Sequence, residues 1–268
     1  MNSYVLGVTY NGTPYRGWQR QPGQNTVQGE IEAALGRIAN EPVSLSVAGR
    51  TDAGVHATGQ VAAFSTSTKR PLHDWHRGLN ALTSDNVHID WIQIAQEAFH
   101  PRYSATARRY VYVYHDIGYS HPHLQGQVWG CSRLDADAMH RAGQRLIGEH
   151  DFTSFRGSGC QSITPMRRVN LLQVRRQGEF VLLEIEANAF LLHMVRNIAR
   201  ALHDVGEGAH TDNGVTTSSP AQWLKLTDRS LVGATAPPSG LYLTAVSYPG
   251  YNLPPAANIS FLSTQKSL

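Results

Sequence analysis

What most limits the fold of this chain is an order of elements that occurs twice. Residues 4–10, 43–47, 56–64 and 87–94 carry the alternation or β-rich composition of strands. Helical spacing falls between them: Val27, Ile31, Ala34, Leu35 and Ile38 after a capping Thr26, then Leu72, Trp75, Leu79 and Leu82. The second half gives a strand at 109–115 and a helix near 135–147. Two strands follow at 171–175 and 180–187, around a Gln177-Gly178 turn. A helix at 190–205 has Leu191, Val195, Ile198, Leu202 and Val205 on one stripe, and a strand at 241–247 closes the series.

Each half therefore reads β-α-β-β-α-β, a split βαβ sheet with helices on one face and the other face free to bind something. The predicted class is α+β: two ferredoxin-like lobes with mainly antiparallel sheets, joined around a central cleft. The predicted lobes are 1–105 and 106–250, followed by a loose tail at 251–268. A Gly/Ser/Thr-rich stretch at 206–220 reads as a surface loop.

Positive charge is supplied by twenty Arg against three Lys, with a formal net charge of only +3. The planar guanidinium suits phosphate oxygens, which favours a nucleic-acid partner, although a GC-rich genome produces the same bias. Cys131 and Cys160 form no Cys-x-x-Cys pair, so neither a disulfide framework nor a zinc cluster is suggested. With no basic leader and no run of eighteen apolar residues, the expectation is a soluble cytoplasmic protein.

The stretch AGRTDAGVHATGQ, residues 48–60, isolates one carboxylate, Asp52, in a loop bracketed by Gly49 and Gly54, with Arg50 two residues before it. Small residues let a large ligand approach the backbone. An ionised carboxylate is a competent nucleophile at a sugar anomeric carbon, and an adjacent guanidinium would keep it ionised. The alternative is an Asp that closes a Gly-flanked turn.

In RRYVYVYH, Tyr110, Tyr112 and Tyr114 share one strand face and Val111 and Val113 the other. With the valines toward the helices, the tyrosines line the open face, where a base could stack; ordinary aromatic packing is the other reading, favoured for Tyr112 and Tyr114. His193, Arg196, Asn197 and Arg200 recur on a polar helix face, which either meets the cleft, with Arg196 pairing Asp52 or gripping a phosphate, or is solvated. His115, His121 and His123 lack acidic or thiol partners close in sequence, so no metal is assigned. Neither a GxxxxGK[ST] loop nor a GxGxxG turn after a strand is present, so nothing argues for a nucleotide cofactor.

AGRTDAGVHATGQ, preceded by YNGTPYRGWQRQ and followed by FHPRYSATARRYVYVY, closely resembles the tRNA pseudouridine synthase A family. GEHDFTSFR, NAFLLHMVRNI and GLYLTAVSY continue the resemblance in the same order to about residue 249. The resemblance implies two ferredoxin-like lobes and isomerisation of uridine to pseudouridine at positions 38, 39 and 40 in the anticodon stem-loop of tRNA. It implies no cofactor or metal, and a homodimer in which one tRNA touches both subunits.

Carried over by motif, the catalytic Asp is Asp52, the active-site Tyr is Tyr110, the motif arginines are Arg50 and Arg196, and Leu241 packs near the target base. Arg16, Arg20, Arg102 and Arg109 are the candidates for phosphate contacts. The competing reading is a non-catalytic RNA-binding protein with two RRM-like lobes.

Overall fold

The computed structural model describes residues 1–119, 121–208, 211–212, 215–216 and 220–263. Its elements begin β1 (Asn2–Tyr10), α1 (Val27–Ala39), β2 (Leu45–Val47), β3 (His56–Thr66), α2 (Leu72–Leu82) and β4 (Val87–Ile94). They continue β5 (Ala107–Asp116), β6 (Trp129–Cys131), α3 (Ala136–Gly143), β7 (Gly148–Asp151), β8 (Met166–Gln177), β9 (Phe180–Ala187) and α4 (Met194–Gly206). The series ends with β10 (Thr211–Asp212), β11 (Val215–Thr216), α5 (Pro220–Leu226), β12 (Leu241–Ser247) and α6 (Ser260–Ser263). Of the stretch read as a 206–220 loop, residues 209–210, 213–214 and 217–219 lie outside the described residues. Between them β10 and β11 pair antiparallel.

Two compact units result: Met1–Arg108 together with Tyr242–Leu268, and Arg109–Leu241. The first is discontinuous in sequence, whereas the reading above kept 106–250 together. The mixed α+β character and the ferredoxin-like order of elements are as expected.

In the first unit β4, β1 and β3 are neighbours, β2 lies beside β3, and all these pairings are antiparallel. β12 adds to β3 in parallel, with Tyr242 opposite His56 and Leu243 opposite Ala57. The helices cover one face because their apolar stripes require it. Ile31 and Leu35 of α1 and Trp75 and Leu79 of α2 are fully buried. Tyr4 stacks on Phe64 at 5.1 Å, and Trp75 meets Phe64 at 5.3 Å. Burial of each such side chain contributes about 1.5–3 kcal/mol. α1 starts where Thr26 accepts from the Gly29 N–H and stops at Asn40, whose φ of 55° takes the left-handed conformation that ends helices.

The opposite face of this sheet is covered too, which corrects the expectation that it stays open. Val5 and Val61 pack there with Trp91, Phe99, Tyr248, Tyr251 and Leu253. Residues 251–263 accordingly do not hang loose: Leu253 joins that cluster, Ile259 is buried, and Phe261 lies 6.3 Å from the Tyr242 ring.

The second unit orders its strands β5–β9–β8–β7, with β6 parallel to β5, and β8–β9 is the expected hairpin. Here the sequence reading of the tyrosine strand is reversed. Tyr114 donates its hydroxyl to the Ala199 carbonyl of α4 at 2.7 Å, and its ring lies 6.2 Å from His203 of the same helix. The tyrosines thus face the helix, where both Tyr112 and Tyr114 are fully buried. For these two the packing reading holds, because a large ring with one polar tip is best placed where the tip finds a buried acceptor.

No helix among the described residues is long and apolar enough to cross a membrane.

Candidate active site

Asp52 sits half-buried at the end of β3's preceding loop, and the segment 10–18 encloses that loop by backbone contacts. Trp18 N donates to the Thr51 carbonyl at 3.1 Å, and Gly54 N donates to the Tyr15 carbonyl at 3.3 Å. Val55 N returns to the Asp52 carbonyl, closing a turn in which Gly54 has φ +77°. Asp52 therefore does close a Gly-flanked turn, and the turn itself is clamped from outside.

The clamp depends on two glycines. A Cβ on Gly12 would lie 2.0 Å from the Val55 carbonyl oxygen. One on Gly17, at φ +92°, would lie 2.8 Å from the Thr51 carbonyl oxygen. Only residues without side chains allow the two loops to approach so closely.

Polar side chains lock the frame from beneath. The Tyr10 hydroxyl shares a 2.8 Å hydrogen bond with Thr51 Oγ1, and burial pushes the Tyr10 phenol up to about 12. Buried Gln60 donates to the Gly49 carbonyl at 2.7 Å. Arg108 Nη2 donates to the Ala48 carbonyl at 3.1 Å. His56 Nδ1 accepts from Gly12 N–H at 3.1 Å, which makes that nitrogen the unprotonated one, and its ring stacks on Tyr242 at 4.6 Å. Tyr10, Thr51, His56 and Gln60 escaped the sequence reading; only the unusual density of glycine and short polar residues around Asp52 hinted at them.

Arg50 is exposed. Arg16 and Arg102 are exposed as well, and Arg20 lies 3.2 Å from the buried carboxylate of Glu32. The Arg109 guanidinium is held by Glu186 at 2.8 and 3.0 Å and by Glu184 at 3.1 Å.

Within the second unit, Tyr110 is buried edge-on to Phe190 at 5.2 Å. Leu241 is buried directly after a short turn whose Pro237 carbonyl accepts from the Tyr112 hydroxyl at 2.8 Å. Gly240 lies so close to the Tyr112 ring that a Cβ would stand 2.7 Å from it, which accounts for glycine before Leu241. Arg196 Nε donates to the Ala236 carbonyl at 2.8 Å.

The face of α4 read as polar and cationic is largely structural. Asn197 is buried, donates to the Phe155 carbonyl, and accepts from Thr235 and Arg229. Arg200 Nε lies 2.7 Å from Asp204, with the guanidinium 5.8 Å over the Trp129 ring. His193, at φ 60°, starts the helix instead of lying within it.

Among the described residues, the ligand atoms of His203, Asp204 and Glu207 come within 4.8 Å of one another. The Arg200 guanidinium already on Asp204 opposes a second cation there. His115, His121 and His123 make no such group: His115 is buried against Phe180, and His121 Nδ1 accepts from the His123 N–H.

The sequence matches the family described as tRNA pseudouridine synthase over residues 7–104 and 142–249. It is 48% identical to the tRNA pseudouridine synthase A of Shewanella sp. (strain MR-4), covering 94% of this chain and 96% of that one. It is 46% identical, over the same shares, to the enzyme of that name from Shewanella frigidimarina. It is 49% identical to that of Aeromonas hydrophila subsp. hydrophila, covering 91% and 90% of the two chains. With the Asp52 loop inside the first matched region and α4 inside the second, the chain belongs to the tRNA pseudouridine synthase family.

Proposed function

We propose that this protein isomerises uridine to pseudouridine in the anticodon stem-loop of tRNA, at positions 38, 39 and 40, with Asp52 as the nucleophile. The observation that carries the reading is the clamped turn of a family member: one half-exposed carboxylate on a loop whose backbone is fixed by Gly12, Gly17, Thr51 and Gly54. A carboxylate held in place needs little reorganisation to attack, which is where an enzyme gains most.

In the proposed reaction the target uridine leaves its stack. The Asp52 carboxylate attacks the ribose carbon bearing the base, and the bond from that carbon to N1 breaks. The uracil turns, its C5 bonds to the same carbon as the bond from that carbon to the Asp52 oxygen breaks and returns the carboxylate, the C5 proton leaves, and N1 gains a proton. Atoms and charge balance, as an isomerisation requires. Tyr110 and Leu241 pack beside the base, and Arg196 serves the same reaction. Arg50, two residues before Asp52, serves the reaction as well. Arg16, Arg20, Arg102 and Arg109 take phosphates. The enzyme acts as a cytoplasmic homodimer in which one tRNA touches both subunits.

Asp52→Asn tests this reading. Expected is loss of tritium release from tRNA labelled at uridine C5, by about 10³-fold or more, with binding of the unlabelled transcript retained. Release at the unsubstituted rate refutes the nucleophile. Binding without release by the unsubstituted protein favours the non-catalytic RNA-binding reading.

A further inference from the structure

Tyr103 is an aromatic residue that the fold holds in solvent. It is 77% exposed, although the base of the same loop is anchored: partly buried Phe99 packs against the apolar cluster of the first unit, and Tyr248 donates its hydroxyl to the Pro101 carbonyl at 2.6 Å. The tip is rigid. His100 Nδ1 accepts from the N–H groups of both Arg102 and Tyr103, at 3.1 and 3.3 Å, and Ser104 Oγ accepts from the His100 N–H. The His100 ring lies 4.4 Å from that of Tyr103, and the Arg102 guanidinium stands 5.8 Å from its centroid.

The tip is also tied to the Asp52 loop. One nitrogen of Arg108, Nη2, donates to the Arg102 carbonyl at 2.7 Å and to the Ala48 carbonyl at 3.1 Å, joining the tip to the first residue of AGRTDAG. A pre-ordered ring in water with a cation at its side loses hydrophobic stabilisation in the free protein, and nothing in the first unit covers it. That pairing of π-face and positive charge fits unstacked nucleotides, whose bases stack on aromatic rings while the phosphates meet arginine.

We propose that Tyr103 is a stacking platform for an unpaired nucleotide of the RNA substrate, with Arg102 on the adjoining phosphate. This rests on the assignment of tRNA as substrate and adds a recognition residue to it.

The test uses the full chain and an unmodified tRNA transcript. Tyr103→Ala is expected to weaken binding about five- to a hundred-fold. Tyr103→Leu should be as weak as Ala, and Tyr103→Phe should restore binding to within about twofold, because stacking needs an aromatic face and not the hydroxyl. The salt slope stays unchanged in all three, whereas Arg102→Gln lowers it by about one. The maximal rate of tritium release at saturating tRNA is retained in Tyr103→Ala, with the loss confined to KM.

Unaltered binding in Tyr103→Ala overturns the proposal, as does a Leu variant equal to Phe. A Tyr103→Ala protein that loses self-association in the absence of RNA also overturns it, because the ring then belongs to a contact between copies. If the unsubstituted protein binds tRNA through Tyr103 yet releases no tritium, stacking stands and uridine isomerisation falls.

Discussion

Gly17 shows how closely the Asp52 loop is held by a residue that has no side chain. Its φ of +92° is open to glycine, and a methyl there would press on the Thr51 carbonyl and the Ala53 nitrogen on either side of Asp52. Gly17→Ala should therefore shift the carboxylate as well as strain the backbone. The expected outcome is a stability loss of about 1–3 kcal/mol in urea and a fall in tritium-release rate of at least about ten-fold, larger than the change in tRNA binding. A variant that is destabilised but fully active would show that the clamp supports the fold only. Asp52 was legible because a carboxylate among glycines is conspicuous. His56 and Gln60 were not, since a buried His or Gln in a strand carries no mark of the carbonyl or N–H it serves.

Among the elements, those with clear boundaries in the sequence formed as expected. Strands at 87–94 and 241–247 match β4 and β12 residue for residue, because turn-forming residues flank an unbroken alternation. The α4 helix begins four residues later than the expected start at 190. His193 takes a positive φ, and the Leu192 carbonyl is engaged by Gly157 N, while Leu191 stays buried and so keeps the helical spacing without the helix. β6 and β7, of three and four residues, are too short to show a period.

The tyrosine strand was assigned the wrong face because alternation says that two faces differ, not which one carries the helix. A connection between elements also sets an acid limit. Glu41, in the link from α1 to β2, accepts from the hydroxyls of Thr66 and Ser67 and from the Ser67 N–H, and these bonds hold its carboxyl down at about 2 against an ordinary 4.5. A depressed folded-state value stabilises the protein above the unfolded value, and that contribution fades as pH falls from 4.5 toward 2. The melting-temperature gap between the protein and its Glu41→Gln variant should be constant above about pH 5.5 and close on acidification. A gap independent of pH would remove Glu41 from the acid response.

At the scale of the molecule, the repeat of β-α-β-β-α-β order was readable, but the membership of its final strand was not. Which neighbour β12 takes depends on contacts distant in sequence, as in the pairing of Tyr242 with His56, and no local signal reports those. The tail was misread for a related reason. Its Pro-rich, irregular composition resembles a free end, while Tyr251, Leu253 and Ile259 are spaced to cover a surface made elsewhere.

Removing residues 250–268 should uncover Val61 and Trp91 and lower stability by on the order of 3–6 kcal/mol, at about 1.5–3 kcal/mol for each large side chain involved. A truncated protein with an unchanged urea midpoint would mean that the covering is incidental. The discontinuous first unit also imposes an order on synthesis. Residues 1–108 leave the ribosome with the β3 edge and the Val5–Val61 face bare, and they wait through all of Arg109–Leu241 for the strand and tail that complete them. The unit holding Asp52 begins first and finishes last, so its vulnerability to aggregation or chaperone capture is greatest in the nascent chain, before any tRNA is met.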